Sequence, residues 1–182
     1  MPYKNLILAH VQRYDTLDTK ARTNGVQFIG SVQNMDMIGD GVYDTAICLE
    51  VLEHVPDPFQ AVREIGRILK KDGTAIISVP HLSRLHEEPN DFFRYTHYGM
   101  RHILESKGLD VLDIQRTGAL FSFLGHQTST LILCLVWHIK FVKSLFFFLN
   151  KWFCVLPCYF LDQKFFGKTA FPLGYVFVAR KK

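Results

Sequence analysis

No CxxC pair occurs among the four cysteines, Cys48, Cys134, Cys154 and Cys158. Cys48 falls inside an apolar strand pattern, so reduced, structural thiols are expected, as in the cytoplasm. Nor does a dense Lys/Arg stripe with interleaved aromatics accompany the net charge of +4, so no nucleic acid partner is expected. The start of the chain lacks a signal peptide: Met1-Pro2-Tyr3-Lys4 leads only to a short apolar patch, Leu6 to Ala9. There is no HExxH and no helical i, i+4 histidine pair, so no metal site is expected, although His81, His86 and Glu87 could in principle meet at one ion. Acidic residues are absent between Asp113 and Asp162. Even there, no run reaches the 18 or so uninterrupted apolar residues of a spanning helix, because His126, Gln127, His138 and several lysines intervene.

What is present is enough apolar content for one core, with sixteen phenylalanines gathered towards the C-terminus. Gln12 to Asp18 reads as a short strand ending in an acid, and Val26 to Ile29 as a second after the turn Thr23-Asn24-Gly25. Gly39-Asp40-Gly41 marks another turn before a buried strand, Tyr43 to Leu49. Asp57 and Pro58 open a helix whose apolar positions are Phe59, Val62, Ile65, Ile68 and Leu69. Lys70 and Lys71 favour its C-terminal end and Gly73 lies just beyond. The strand Thr74 to Val79 stops at Pro80, and a helix from about Thr96 to Lys107 ends at Gly108. Strands Leu109 to Ile114 and Tyr175 to Ala179 complete the pattern. Alternating strands and helices imply an α/β domain with a mostly parallel sheet.

In such sheets ligands sit beyond the carboxyl ends of the strands. There Tyr43 to Leu49 runs straight into Glu50-Val51-Leu52-Glu53-His54-Val55-Pro56-Asp57-Pro58. Residues 43–80 (YDTAICLEVLEHVPDPFQAVREIGRILKKDGTAIISVP) resemble the class I S-adenosylmethionine-dependent methyltransferases of the type 11 kind, from their fourth strand to their fifth. The likeness extends less tightly to about Pro2 and Thr117, and FPLGYVFVAR resembles the family's last strand. It implies a Rossmann-like methyltransferase fold and S-adenosylmethionine as cofactor. The family's glycine-rich loop is missing from this pattern, since Gly39-Asp40-Gly41 precedes a strand instead of following one. Met1 therefore reads as an internal position, with the first strand absent and two strand edges exposed. The expected organisation is an incomplete core over 1–117, an apolar, basic helical insertion over 118–170, and the last strand with a basic tail over 171–182.

The resemblance also implies site residues. Asp18 matches the acid that holds the ribose hydroxyls, a role suited to a carboxylate, with Asp15 as the alternative. Ser31 stands where an acid usually faces the adenine amino group, and Val32 and Gln33 flank the ring. Leu49, Glu50 and Val51 match the segment beside the methionine end, with His54 one turn further on as an orienting group or base. The loop from Pro80 to Tyr98 (PHLSRLHEEPNDFFRYTHY) falls where the family builds its acceptor pocket. His81, His86, Glu87 and Arg94 are its candidates for holding or deprotonating an acceptor. The plainer alternative is that Thr96 caps a helix and Arg94 pairs with Asp91 or Glu88.

Helices that are apolar and basic but not acidic suit an anionic membrane surface or a lipid-like substrate. Peripheral membrane contact through 118–161, a lid or homodimer interface, and a spanning segment all stay open. Two functions are carried forward. One is methyl transfer to a small-molecule or lipid-linked, cell-envelope acceptor, in the cytoplasm or at the membrane surface. The other is a non-catalytic, truncated methyltransferase-like protein acting as a partner or membrane-surface module.

Overall fold

The computed structural model describes residues 7–20, 26–136, 139–165 and 171–182. Six strands appear among them: β1 Leu17–Asp18, β2 Phe28–Ile29, β3 Tyr43–Leu49, β4 Leu69–Pro80, β5 Leu109–Thr117 and β6 Gly174–Lys181. The helices are α1 Pro58–Ile68, α2 His97–Ser106, α3 Leu120–Val136, α4 Lys140–Asn150 and α5 Leu156–Phe165. A 3-10 turn, Leu52–His54, follows β3, and a π-helical turn, Lys151–Val155, joins α4 to α5.

Four strands form one sheet in the order β3-β4-β6-β5, while β1 and β2 make a separate parallel pair. The larger sheet is mixed: β3 and β4 run parallel, and β6 lies antiparallel to both β4 and β5. Its registers bring Leu49 beside Ser78, Pro80 beside Gly174 and Thr117 beside Gly174. The carboxyl ends of β3, β4 and β5 therefore meet at one edge of the sheet, where ligands of this architecture bind. Among the described residues no ladder joins β1–β2 to the larger sheet.

Several elements differ from expectation at their ends. The first two strands shrink to two residues each, and the Thr23-Asn24-Gly25 turn lies outside the described residues. Helix α1 stops at Ile68 because Leu69 turns extended, at φ −74° and ψ 140°. Lys70 and Lys71 thus belong to β4 and not to a helix end. The pairing of β3 with β4 slips between Tyr43 and Thr45, and Asp72 takes a left-handed φ of 62°. Gly73 is required there: a Cβ would stand 2.8 Å from the Lys70 carbonyl oxygen.

Helix α1 shows how sequence sets packing. The Asp57 carboxylate accepts from the Gln60 N–H at 3.0 Å, and Pro58 opens the first turn. Ala61, Val62, Ile65 and Ile68 are buried against the sheet, each large one stabilising the fold by about 1.5–3 kcal/mol. Phe59, expected on that face, is exposed instead beneath the Lys107 ammonium. Glu64 and Arg67 hold the loop after β2 against α1. Glu64 accepts from the Met35 N–H, and Arg67 donates to the Met35 and Ile38 carbonyls and to Asp40. Helix α2 starts at Thr96, whose hydroxyl accepts from the Gly99 N–H, and buries Met100, Ile103 and Leu104.

The insertion is helical as expected, and its one buried acid organises it. Asp162 on α5 accepts from the backbone N–H groups of Ala119, Phe121 and Ser122 at 2.8–2.9 Å. A carboxylate there satisfies N–H groups left open at the start of α3 and complements the helix dipole. The helical run Ser144–Phe165 is long and apolar enough to cross a membrane by length and composition. Lys151, Asp162 and Lys164 fall inside that run, and none breaks it.

Candidate functional site

The end of β3 sets the site's geometry. Glu50 takes a left-handed φ of 52°, which bends the chain out of the sheet immediately after Leu49. Its N–H donates to Ser78 on β4, and the Ser78 hydroxyl donates to the Glu50 carboxylate at 2.7 Å. The following 3-10 turn drives Leu52 and Glu53 into the interior, both with no exposure. Over this turn folds the loop after β4. Tyr95 donates its hydroxyl proton to the Leu52 carbonyl, and the Phe92 and Phe93 N–H groups donate to the Glu53 carbonyl.

Three groups converge where the turn and the loop meet. The Nε2 atoms of His54 and His86 lie 3.0 Å apart, and Glu53 Oε1 lies 3.6 Å from the first and 3.8 Å from the second. Both carboxylate oxygens of Glu53 are buried without a hydrogen-bond partner among the described residues. Burial, reinforced by the charge of Glu50, pushes this carboxyl above its usual range, although its own backbone N–H and the two imidazoles act the other way. The outer ring nitrogens are held from behind. His54 Nδ1 meets the Asn90 carbonyl at 2.6 Å, which fixes its proton on Nδ1, and His86 Nδ1 lies 3.5 Å from Asp91.

Arg94 is the clamp of this loop. Its guanidinium donates to both Asp91 oxygens and to the carbonyls of Ser83, Arg84 and Phe93. Arg94 hydrogen bonds hold the Asp91 carboxyl well below the ordinary range against the opposing effect of burial. Among the described contacts, then, Arg94 positions the loop, and the plainer Asp91 pairing is the one observed. Glu87 is exposed at a left-handed φ of 53°. His81 packs its ring 5.4 Å from that of Tyr175 at the start of β6. Neither meets the His54–His86 pair among these contacts.

At the same edge a cavity of about 210 Å³ is lined by Glu50, Pro80, Ser83, Thr117, His126, Leu173 and Gly174. His126 arrives from α3 of the insertion, and its Nδ1 is buried without a partner among the described residues. Burial, and secondarily the charge of Arg84, lowers its basicity. Sequence reading passed over His126 as a mere interruption of an apolar run. Glu53 was overlooked too, although an acid flanked by Leu52 and adjoining His54 and Val55 is the available signal.

On the β1–β2 side, Asp15 is engaged by the Tyr43 hydroxyl at 2.7 Å and by Arg13 at 2.6 Å. Tyr43 opens β3, so Asp15 belongs to the amino end of the strands. Asp18 is at the carboxyl end of β1. One of its oxygens accepts from the Lys20 N–H and the Thr19 hydroxyl, and the other accepts nothing among the described residues. Ser31 turns back onto the Gln33 N–H, Gln33 offers its carbonyl to Gln60, and Val32 packs on the core.

Residues 9–77 match the family described as a methyltransferase domain. Over 71 residues the chain is 32% identical to the ubiquinone biosynthesis O-methyltransferase of Xanthomonas campestris pv. campestris, a match covering 39% of this chain. It spans 29% of that relative's length. The fold is similar to that of the Burkholderia thailandensis 1,6-didemethyltoxoflavin-N1-methyltransferase, solved with S-adenosylhomocysteine bound. The TM-score is 0.60 at 17% identity, covering 98% of this chain and 65% of that one. A SAM-dependent methyltransferase from Archaeoglobus fulgidus gives a TM-score of 0.59 at 14% identity, over 98% of this chain and 80% of that one. Residues 9–77 are thus similar to a methyltransferase domain, and the fold is that of the Rossmann-like methyltransferases.

Proposed function

We propose that this chain binds S-adenosylmethionine across its strand tips and transfers the methyl group to an acceptor held beneath the loop after β4. The observation that carries the reading is the arrangement of one edge. The Glu50 bend, the histidine pair and the cavity all adjoin the carboxyl ends of β3 and β4, within and beside the segment that matches the family. Asp18 takes the ribose diol through its free oxygen. Ser31, Val32 and Gln33 flank the adenine, and Leu49, Glu50 and Val51 line the methionine end. The cofactor supplies an electrophilic methyl on a sulfonium. The protein's part is to hold the acceptor in line and receive its proton.

The His54–His86 pair is the destination of that proton, and Glu53 stabilises the imidazolium that results. His81, Glu87 and Arg94 shape the loop that covers the acceptor. The acceptor is a small molecule with an apolar body, lipid-linked or lipid-like. Exposed Phe148, Phe153 and Phe160 on the insertion support contact of this face with a membrane surface.

Calorimetric titration of the full chain with S-adenosylmethionine and S-adenosylhomocysteine tests the reading. One site with a Kd on the order of micromolar, about −8 kcal/mol, is expected, and Asp18→Ala weakens it at least tenfold. A folded sample that binds neither compound would favour the non-catalytic alternative.

A further inference from the structure

We infer that Glu53, His54 and His86 form a binding site for a small, borderline-soft divalent cation of the zinc type. The case begins with Glu53, a fully buried carboxylate whose two oxygens have no hydrogen-bond partner among the described residues. A buried carboxyl stays ionised only when it is paired or bound to a metal and is otherwise neutralised by a proton, and in either form its oxygens call for polar partners. The two imidazoles are too far away to serve as hydrogen-bond donors to it, at 3.6 and 3.8 Å. They are nevertheless at the right distance to share an ion with it.

Geometry selects the class of ion. Nε2 of His54, Nε2 of His86 and Oε1 of Glu53 define a triangle with edges of 3.0, 3.6 and 3.8 Å. Its circumscribed circle has a radius of about 2.0 Å, so one point lies within the usual zinc–nitrogen and zinc–oxygen bond lengths, roughly 2.0–2.2 Å, of all three atoms. Calcium, which takes oxygen ligands throughout, does not suit the two imidazoles. Two nitrogens and one carboxylate oxygen suit zinc, cobalt or nickel.

The supporting shell agrees. His54 Nδ1–H is held by the Asn90 carbonyl, leaving the Nε2 lone pair free for a metal, and the Asp91 carboxylate lies behind His86 Nδ1. Metal-binding histidines are oriented by such partners. Three protein ligands leave one position open, and the partial exposure of His54 and His86 puts it on the outer side of the turn. Without the ion, a proton between the two Nε2 atoms satisfies both rings, but it gives Glu53 nothing.

Ion binding is independent of methyl transfer. Its use in catalysis rests on the reading above: with the ion bound, both imidazoles would be ligands, and the ion would lower the pKa of an acceptor hydroxyl at the open position so that its proton passes to solvent instead of to an imidazole.

The test is titration of the metal-stripped full chain with Zn²⁺ against a chromophoric chelator, and with Co²⁺ as a spectroscopic probe. One equivalent of Zn²⁺ is expected, with Co²⁺ giving ligand-field bands and no thiolate charge-transfer band. Glu53→Gln and His86→Asn each weaken Zn²⁺ binding at least tenfold while circular dichroism is preserved. A Cys154→Ser/Cys158→Ser variant binds as the parent does. The inference fails if no stoichiometric Zn²⁺ binds, if folded Glu53→Gln or His86→Asn binds unchanged, or if the thiol variant loses the site. Nothing in these readouts depends on S-adenosylmethionine, so failure of the metal site and failure of the methyltransferase reading are separable.

Discussion

Helix α1 and the helices of the insertion are built from similar apolar residues, yet they end in opposite environments. Val62 and Ile65 of α1 are 0% and 3% exposed, whereas Leu135 and Phe153 of the insertion are 74% and 78% exposed. The cause is patterning. Helix α1 gathers Ala61, Val62, Ile65 and Ile68 on one stripe, with Arg63 exposed, so one sheet face covers that stripe. The described helices of the insertion carry large apolar residues that no sheet face covers. Among the described residues of the insertion, the buried charge is the Asp162 carboxylate under the start of α3. One region is therefore held by apolar packing and the other by a charge placed at a helix terminus.

That contrast gives an order of effects. Phe177→Ala, in the central strand β6, should cost about 3–5 kcal/mol, while Phe153→Ala changes stability by no more than about 0.5 kcal/mol. Urea unfolding of the two variants reads the difference directly, and equal losses would erase the distinction between the regions. Asp162→Ala removes the acceptor of the Ala119, Phe121 and Ser122 N–H groups at the start of α3, a loss of about 1–3 kcal/mol. Limited proteolysis should show the insertion cut first while the sheet stays intact.

A smaller and pH-dependent effect belongs to Asp91, whose side chain is 1% exposed beside Arg94. Its carboxyl is held below the ordinary range, chiefly by Arg94 hydrogen bonds. Its stabilisation is therefore complete above the unfolded value of about 3.9 and is lost as pH falls through the depressed folded value. Asp91→Asn should flatten that acid limb and loosen the His86 loop, as followed by thermal unfolding between pH 7 and pH 2. A parallel shift of the whole profile would contradict this assignment.

How much of this was legible in the sequence depended on locality. Asp57, Thr96 and Gly108 announce helix ends because capping is decided within a few residues. The α/β order followed from hydrophobic period, and the segment from Tyr43 to Pro80 carried the family. The end of α1 was misplaced because Leu69 obeys its pairing with Tyr43 on β3, a contact that helical spacing does not encode. The site was half legible. His54 and His86 were named separately, but their meeting depends on the fold of the loop after β4 across the 3-10 turn, 32 residues apart in sequence. Arg94 was offered either a direct role or a pairing with Asp91 or Glu88, and the Asp91 pairing is among its contacts. Glu53 and His126 were missed because their significance lies in burial without a partner, which only the packed structure reveals.

The central claim is that Asp18, Ser31 to Gln33 and Leu49 to Val51 serve one ligand. Hydrogen exchange of the full chain with and without S-adenosylhomocysteine tests it most directly. The account requires exchange to slow in all three segments together, at the same ligand concentration, with β5 and α5 unchanged. Slowing confined to one segment, or to the insertion alone, would contradict it.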